Sequence, residues 1–149
     1  MVLLENRRLS GIPAGNYKVV ITFACPVTVT NATVTPGAGG TASMSGTPTV
    51  NNTQVTVNLT NVSNAQTLRM DLLGLSDGTH TGNVSILMGV LIGDVDENSR
   101  VDGNDVSDVQ SHTRQSVTNA NFRYDIDANG RIDGNDVSAT QSHTRTALP

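Results

Sequence analysis

Tryptophan is absent from this 149-residue chain, and Tyr and Phe number two each. Sugar sites commonly stack their ligands on exposed rings, so a carbohydrate-binding module is only a distant alternative, and Tyr17 and Phe23 read as core residues of a strand. A single cysteine, Cys25, excludes an internal disulfide framework. Beside Pro26 it is expected to be a small buried apolar residue, with an intermolecular disulfide as the other reading. Nine Lys and Arg residues form no patch, which speaks against nucleic acid. No stretch is long and apolar enough to span a membrane as a helix. His80, His112 and His143 accompany no Ser or Cys nucleophile in a recognisable motif, so an enzyme is not expected and an enzyme fragment is a distant alternative.

What the chain does have is one sentence written twice. Asp94 to Asp105 reads DVDENSRVDGND and Asp125 to Asp136 reads DIDANGRIDGND. Both place acidic or amide oxygens at positions 1, 3, 5, 9 and 12 and an apolar residue at position 8, the pattern of an EF-hand calcium loop. A hard divalent cation takes six to eight oxygens at about 2.3–2.6 Å, which a tight 12-residue loop brings in from all sides. The expected ligands of the second loop are Asp125, Asp127, Asn129, the Arg131 carbonyl, Asp133 through a water, and Asp136. In the first they are Asp94, Asp96, Asn98, the Arg100 carbonyl, Asp102 and Asp105. Two Ca2+ sites follow, favoured over magnesium by the many protein oxygens and the lack of a phosphate-binding loop. Position 6 calls for a left-handed bend, which Gly130 adopts freely and Ser99 only at a cost of roughly 1 kcal/mol, so the first site is expected to be weaker. Both loops close with Asp in place of the Glu usual in sensor EF-hands, which favours a structural site over an opening switch.

The repetition runs on beyond the ligands: GNDVS, two variable residues and QSHTR span Gly103 to Arg114 and recur from Gly134 to Arg145, an offset of 31 residues. Duplicated loops, each followed by a helix with no full helix before the loop, resemble a type I dockerin over roughly the last third of the chain. The resemblance implies a secreted, calcium-stabilised module that docks onto a cohesin domain. By position, its partner contacts would be Gly103, Asn104, Gln110 and Ser111, and again Gly134, Asn135, Gln141 and Ser142. The Ser-Thr or Lys-Arg pairs common in type I dockerins are not there. Each helix carries a narrow stripe, Val106, Val109 and Thr113 in one and Val137, Thr140 and Thr144 in the other. So small a core calls for calcium and for packing against the preceding domain, with Phe122 and Tyr124 as anchors.

From Asn16 to Met88 the vocabulary is Val, Thr, Asn, Gly and Ser. Strands are expected at Tyr17–Phe23, Val27–Val34, Thr41–Ser45, Gln54–Leu59, Thr67–Leu72 and Asn83–Met88, separated by turn words such as PGAGG, TPTVNN and LSDGTHTGN. The fold class is therefore mainly β with a small α part, an antiparallel Ig-like β-sandwich of six or seven strands followed by a dockerin-like pair of loop–helix units. The expected divisions are 1–15, N-terminal strand and linker; 16–90, β-sandwich; and 91–149, calcium-binding module. A sandwich feeding through Val90–Ile92 into paired loops with no Pro or Ser spacer also resembles the C-termini of large secreted bacterial proteins, which implies rigid packing of the two parts and an extracellular or cell-surface location. The opening MVLLENRRLS has its charges after its apolar run, unlike a signal peptide, and reads as the start of a mature or excised piece, or as an incomplete start.

The leading expectation is a non-enzymatic, calcium-stabilised extracellular structural protein acting by protein–protein assembly. In one form it is a fibre subunit: the apolar strand Val2, Leu3, Leu4 crosses the linker Gly11–Gly15 and completes a neighbour's sheet, head to tail. Its other home is its own sandwich. The alternative is a dockerin tether binding a cohesin-like domain through Asn104, Gln110, Ser111, Asn135, Gln141 and Ser142. The unusual recognition positions, and a formal charge that two bound Ca2+ would bring from −4 to zero, tip the balance towards self-assembly. Five N-x-S/T triplets, at Asn31, Asn51, Asn58, Asn61 and Asn83, are candidates for attached glycans, although such a composition also generates them by chance.

Overall fold

The computed structural model describes residues 2–5, residue 7 and residues 15–149, with the side chains of Val2, Leu3 and Leu4 outside that description. Most of the expected linker, residues 11–14, also lies outside it. The chain is mainly β, with two helices near its end.

The strands are β1 (Val2–Glu5), β2 (Tyr17–Thr22), β3 (Asn31–Thr35), β4 (Ser43–Met44), β5 (Thr49–Asn51), β6 (Gln54–Thr60), β7 (Gln66–Ser76) and β8 (Thr81–Val90). Period-two alternation places them. Val55, Val57 and Leu59 of β6 are buried, as are Leu68, Met70 and Leu72 of β7, while the residues between them are half-buried or exposed. One sheet has the order β1-β8-β7-β3, the other β2-β6-β4 with β5 also on β6. All pairings are antiparallel save that of β1, which runs parallel to β8 with Val2 opposite Leu87 and Glu5 opposite Val90.

A single apolar cluster draws on both sheets, joining Tyr17, Val19, Val55, Val57 and Leu59 to Leu68, Met70, Leu72, Ile86, Met88 and Val90. Burying each of the larger side chains contributes about 1.5–3 kcal/mol. Gln66 is buried at one end of this cluster and fully engaged. Its Oε1 accepts from the Gly37 amide at 2.9 Å, and its Nε2 donates to the Thr41 and Ser63 carbonyls at 2.7 and 2.8 Å.

β8 passes directly into the repeats through Leu91, which is fully buried. The Ile92 amide donates to Asn64 Oδ1 at 2.8 Å, so the junction is fastened without a spacer. Helices α1 (Gly103–His112) and α2 (Gly134–Ser142) each begin in a capping box, Asp102 with Asp105 and Asp133 with Asp136. Val95, Val109, Ile126 and Ile132 form a second apolar cluster, with Ile92, Val117, Tyr124, Val137 and Ala139 packed on it.

Several expectations need correcting. The stretch TPTVNN holds a strand, β5, because Thr49–Asn51 pairs back on Gln54–Thr56 as a tight hairpin. β7 and β8 extend further into LSDGTHTGN, to Ser76 and from Thr81, where pairing across the hairpin outweighs weak local propensity. Val27–Val34 is shortened to β3, with one isolated bridge at Thr28 to Ser76. Cys25 is exposed, since it lies outside the core cluster, in the loop after β2, and lines an open surface cavity with Leu75 and Val84. Phe122 is exposed too and is no buried anchor; Tyr124 does pack, stacking on His112 with ring centroids 3.7 Å apart.

Candidate metal centre

The two loops are built alike because local hydrogen bonds over the same spacing fold them alike. In the first, Asp94 Oδ1 accepts from the Asn98 amide at 3.1 Å and Oδ2 from the Ser99 amide at 3.0 Å. In the second, Asp125 accepts from Asn129 and Gly130 at 3.1 and 3.0 Å. The last acid closes each loop. Asp105 reaches back to the Val95 amide at 2.9 Å and to Asp102 at 2.8 Å; Asp136 reaches Ile126 at 2.7 Å and Asp133 at 2.8 Å.

These bonds draw three carboxylates together in each loop. One oxygen from each of Asp94, Asp96 and Asp105 lies within 4.8 Å of the others, and Asp125, Asp127 and Asp136 repeat the group. Two buried acidic clusters of this kind could hold metal ions, and an all-oxygen donor set suits a hard cation. Burial, together with the Asp105 and Asp96 charges, pushes the Asp94 carboxyl up to about 6 against the pull of the Ser99 and Asn98 amides. Burial likewise raises Asp136. A cation between such carboxylates removes that penalty by supplying the missing opposite charge.

The remaining expected ligands are placed less uniformly. The amide nitrogens of Asn98 and Asn129 donate to Asp96 and Asp127 at 2.8 and 2.9 Å, at the rim of each cluster. Asp102 and Asp133 are not gathered into it; each spends one oxygen on capping its helix, through the Asn104 and Asn135 amides at 2.8 and 2.7 Å. Arg100 bridges Ala147, with the hydrogen bonds made by its neighbours: Val101 donates to the Thr146 carbonyl and Leu148 to the Ser99 carbonyl. That geometry leaves the Arg100 carbonyl outside the bridge. Arg131 holds the equivalent bridge with Ser116.

Position 6 is left-handed as expected, Ser99 at φ +68° and Gly130 at +88°. Sequence reasoning missed that position 4 is left-handed as well, Glu97 at +63° and Ala128 at +54°. It also missed Arg123, which donates from Nη2 to the Asp94 carbonyl at 3.3 Å and pairs with Glu97 at 2.8 Å, so that the approach to the second loop braces the first. An Arg between two aromatic residues just ahead of a loop was the available signal.

Among the proposed contact residues, Asn104, Gln110, Ser111, Asn135, Gln141 and Ser142 are all exposed, in matching places on α1 and α2. His112 and His143 turn Nδ1 to the Asp108 and Ala139 carbonyls at 2.8 Å, a helix-end contact repeated in both copies. Of the five triplet asparagines, Asn31, Asn51, Asn61 and Asn83 are exposed and Asn58 is half-buried. No helix among the described residues is long and apolar enough to cross a membrane. No protein-family model matches the chain, and no curated protein matches it either.

Proposed function

We propose that this chain is a non-enzymatic, extracellular structural protein of the secreted bacterial kind, stabilised by two Ca2+ ions and acting by assembly with other proteins. The observation that carries this reading is the duplicated cluster of three converging carboxylates, of which two per loop, Asp94 with Asp105 and Asp125 with Asp136, are buried at a cost that a cation would offset. In this reading the two sheets over their shared core are an Ig-like antiparallel β-sandwich, and the loop–helix repeats are a dockerin-like pair that packs rigidly on it.

The partner is a second copy. β1 is a short edge strand held to β8 alone, and a strand at a sheet edge can be supplied by a neighbour with the same main-chain hydrogen bonds. Exchanged head to tail, it makes an open fibre. Sedimentation of the intact chain and of one lacking residues 1–15, each with calcium and with chelator, tests this. Calcium-dependent polymer from the intact chain alone is expected; a monomer in every sample would leave the other reading.

That other reading is a dockerin-like tether, favoured by the twice-presented exposed face of Asn104, Gln110 and Ser111 and of Asn135, Gln141 and Ser142. A soluble complex with a cohesin domain, lost on substituting both copies of the face, would establish it. Glycans on the exposed asparagines belong to the same extracellular picture, and an intact mass of the bare 15.6 kDa polypeptide would remove them.

A further inference from the structure

The N-terminal segment does not stop at the sheet. Beyond its pairing with Leu87–Val90, the Glu5 carbonyl accepts from the Leu91 amide at 3.0 Å. The Glu5 carboxylate then holds Arg7: Oε1 accepts from the Arg7 amide at 2.8 Å and lies 3.3 Å from Arg7 Nε. So held, the Arg7 guanidinium stands over the Phe122 ring, 5.0 Å from its centroid, a cation–π distance.

Leu91 and Phe122 are the same position of the repeat. They are 31 residues apart, the repeat offset, and each lies three residues before the first aspartate of its loop. In both copies the carbonyl at this position accepts from that aspartate's amide, Asp94 to Leu91 at 3.3 Å and Asp125 to Phe122 at 3.2 Å. Arg123, next to Phe122, is tied to Asp94 and Glu97 of the other loop, so the two lead-in turns form one unit. Phe122 stays 37 % exposed, and its ring is what the Arg7 guanidinium stands over.

We propose that the docking surface for a second copy's N-terminal segment is a composite of β8, the Leu91 amide and the Phe122 ring, and that it is complete only when both loops hold their cations. The inference rests on the strand-exchange and calcium readings above and adds to them the residues that couple the two. Without the cation, carboxylates crowded in each loop repel, the first aspartate shifts, and the turn hydrogen-bonded to it carries Leu91 or Phe122 away. The seat then shrinks to the four residues of β8 opposite β1.

Hydrogen exchange on the intact chain reads the seat whether the segment is its own or a neighbour's. Replacing calcium with chelator should speed exchange of residues 2–5 and of the Leu91 amide at least tenfold while β6 and β7 remain protected. Loops that lose protection while β1 keeps it would overturn the proposal. Should chelation unfold the whole chain, the calcium-loaded variants decide. Phe122→Ala and Arg7→Ala should each speed exchange at β1 and weaken assembly by about two- to fivefold, and Arg7→Lys should restore part of both. Unchanged exchange in both alanine variants would refute the composite seat. Monomer in all samples would overturn the second copy as occupant, and with it the docking proposal, even with the exchange pattern intact; exchange indifferent to calcium everywhere would remove the calcium reading itself.

Discussion

Arg145 donates its backbone amide to the Val101 carbonyl at 2.8 Å, and Arg114 does the same to Ile132 at 2.9 Å. Each arginine follows the helix of one repeat, is left-handed, at φ +73° and +69°, and ties itself to position 8 of the opposite loop. The two repeats therefore complete one another, each supplying the segment that bridges to its partner's loop.

Deleting residues 145–149 should harm the first loop and spare the second, because Arg145, Thr146 and Leu148 back only Val101 and Ser99. Calorimetric titration with calcium should show one site kept and the other weakened at least tenfold. Equal loss at both sites would contradict the crossed arrangement.

Ser99 sits at φ +68° in the place where the second loop has Gly130. Ser99→Gly should stabilise the calcium-loaded protein by about 0.5–1 kcal/mol, and Gly130→Ala should destabilise it by about 1 kcal/mol. Chemical denaturation of both variants checks the pair, and a destabilised Ser99→Gly protein would show that the bend is not what limits the first loop.

Burial holds the Asp94 carboxyl at about 6, above its ordinary 3.8, so the calcium-free fold disfavours the ionised acid relative to the unfolded chain. The cost of ionising it is present above pH 6 and disappears as the pH falls towards 3.8, a difference of roughly 3 kcal/mol. Calcium-free protein should accordingly be more stable at pH 5 than at pH 7.5, whereas calcium affinity, which needs the carboxylate, should fall over the same interval. Denaturation curves of dialysed protein that show no gain at pH 5 would count against it.

Gln66→Leu keeps the bulk but takes the partner from the Gly37 amide and the Ser63 carbonyl and one of two donors from the Thr41 carbonyl, which still accepts from the Ser63 amide. A loss of about 1–3 kcal/mol in stability is expected, measured by denaturant midpoint in calcium. Val20→Thr, on the exposed face of β2, should change it by less than about 0.5 kcal/mol.

The sequence by itself determined what depends on near neighbours. Carboxylates at fixed spacing and a bend at position 6 are satisfied by hydrogen bonds within a dozen residues, so a repeated motif spells them out; that Asp102 and Asp133 cap their helices was not read from it. Alternation likewise marked β2 and β6, since one side of each strand must be apolar wherever the other faces water.

Only the tertiary structure decided which distant pieces meet. That β1 runs parallel along β8, that β5 folds back on β6, that Cys25 is uncovered and that Phe122 lies under Arg7 are outcomes of competition among pairings far apart in the chain. The crossed support of the two loops belongs with them, because no spacing within one repeat reveals that the segment bridging to its loop comes from the other.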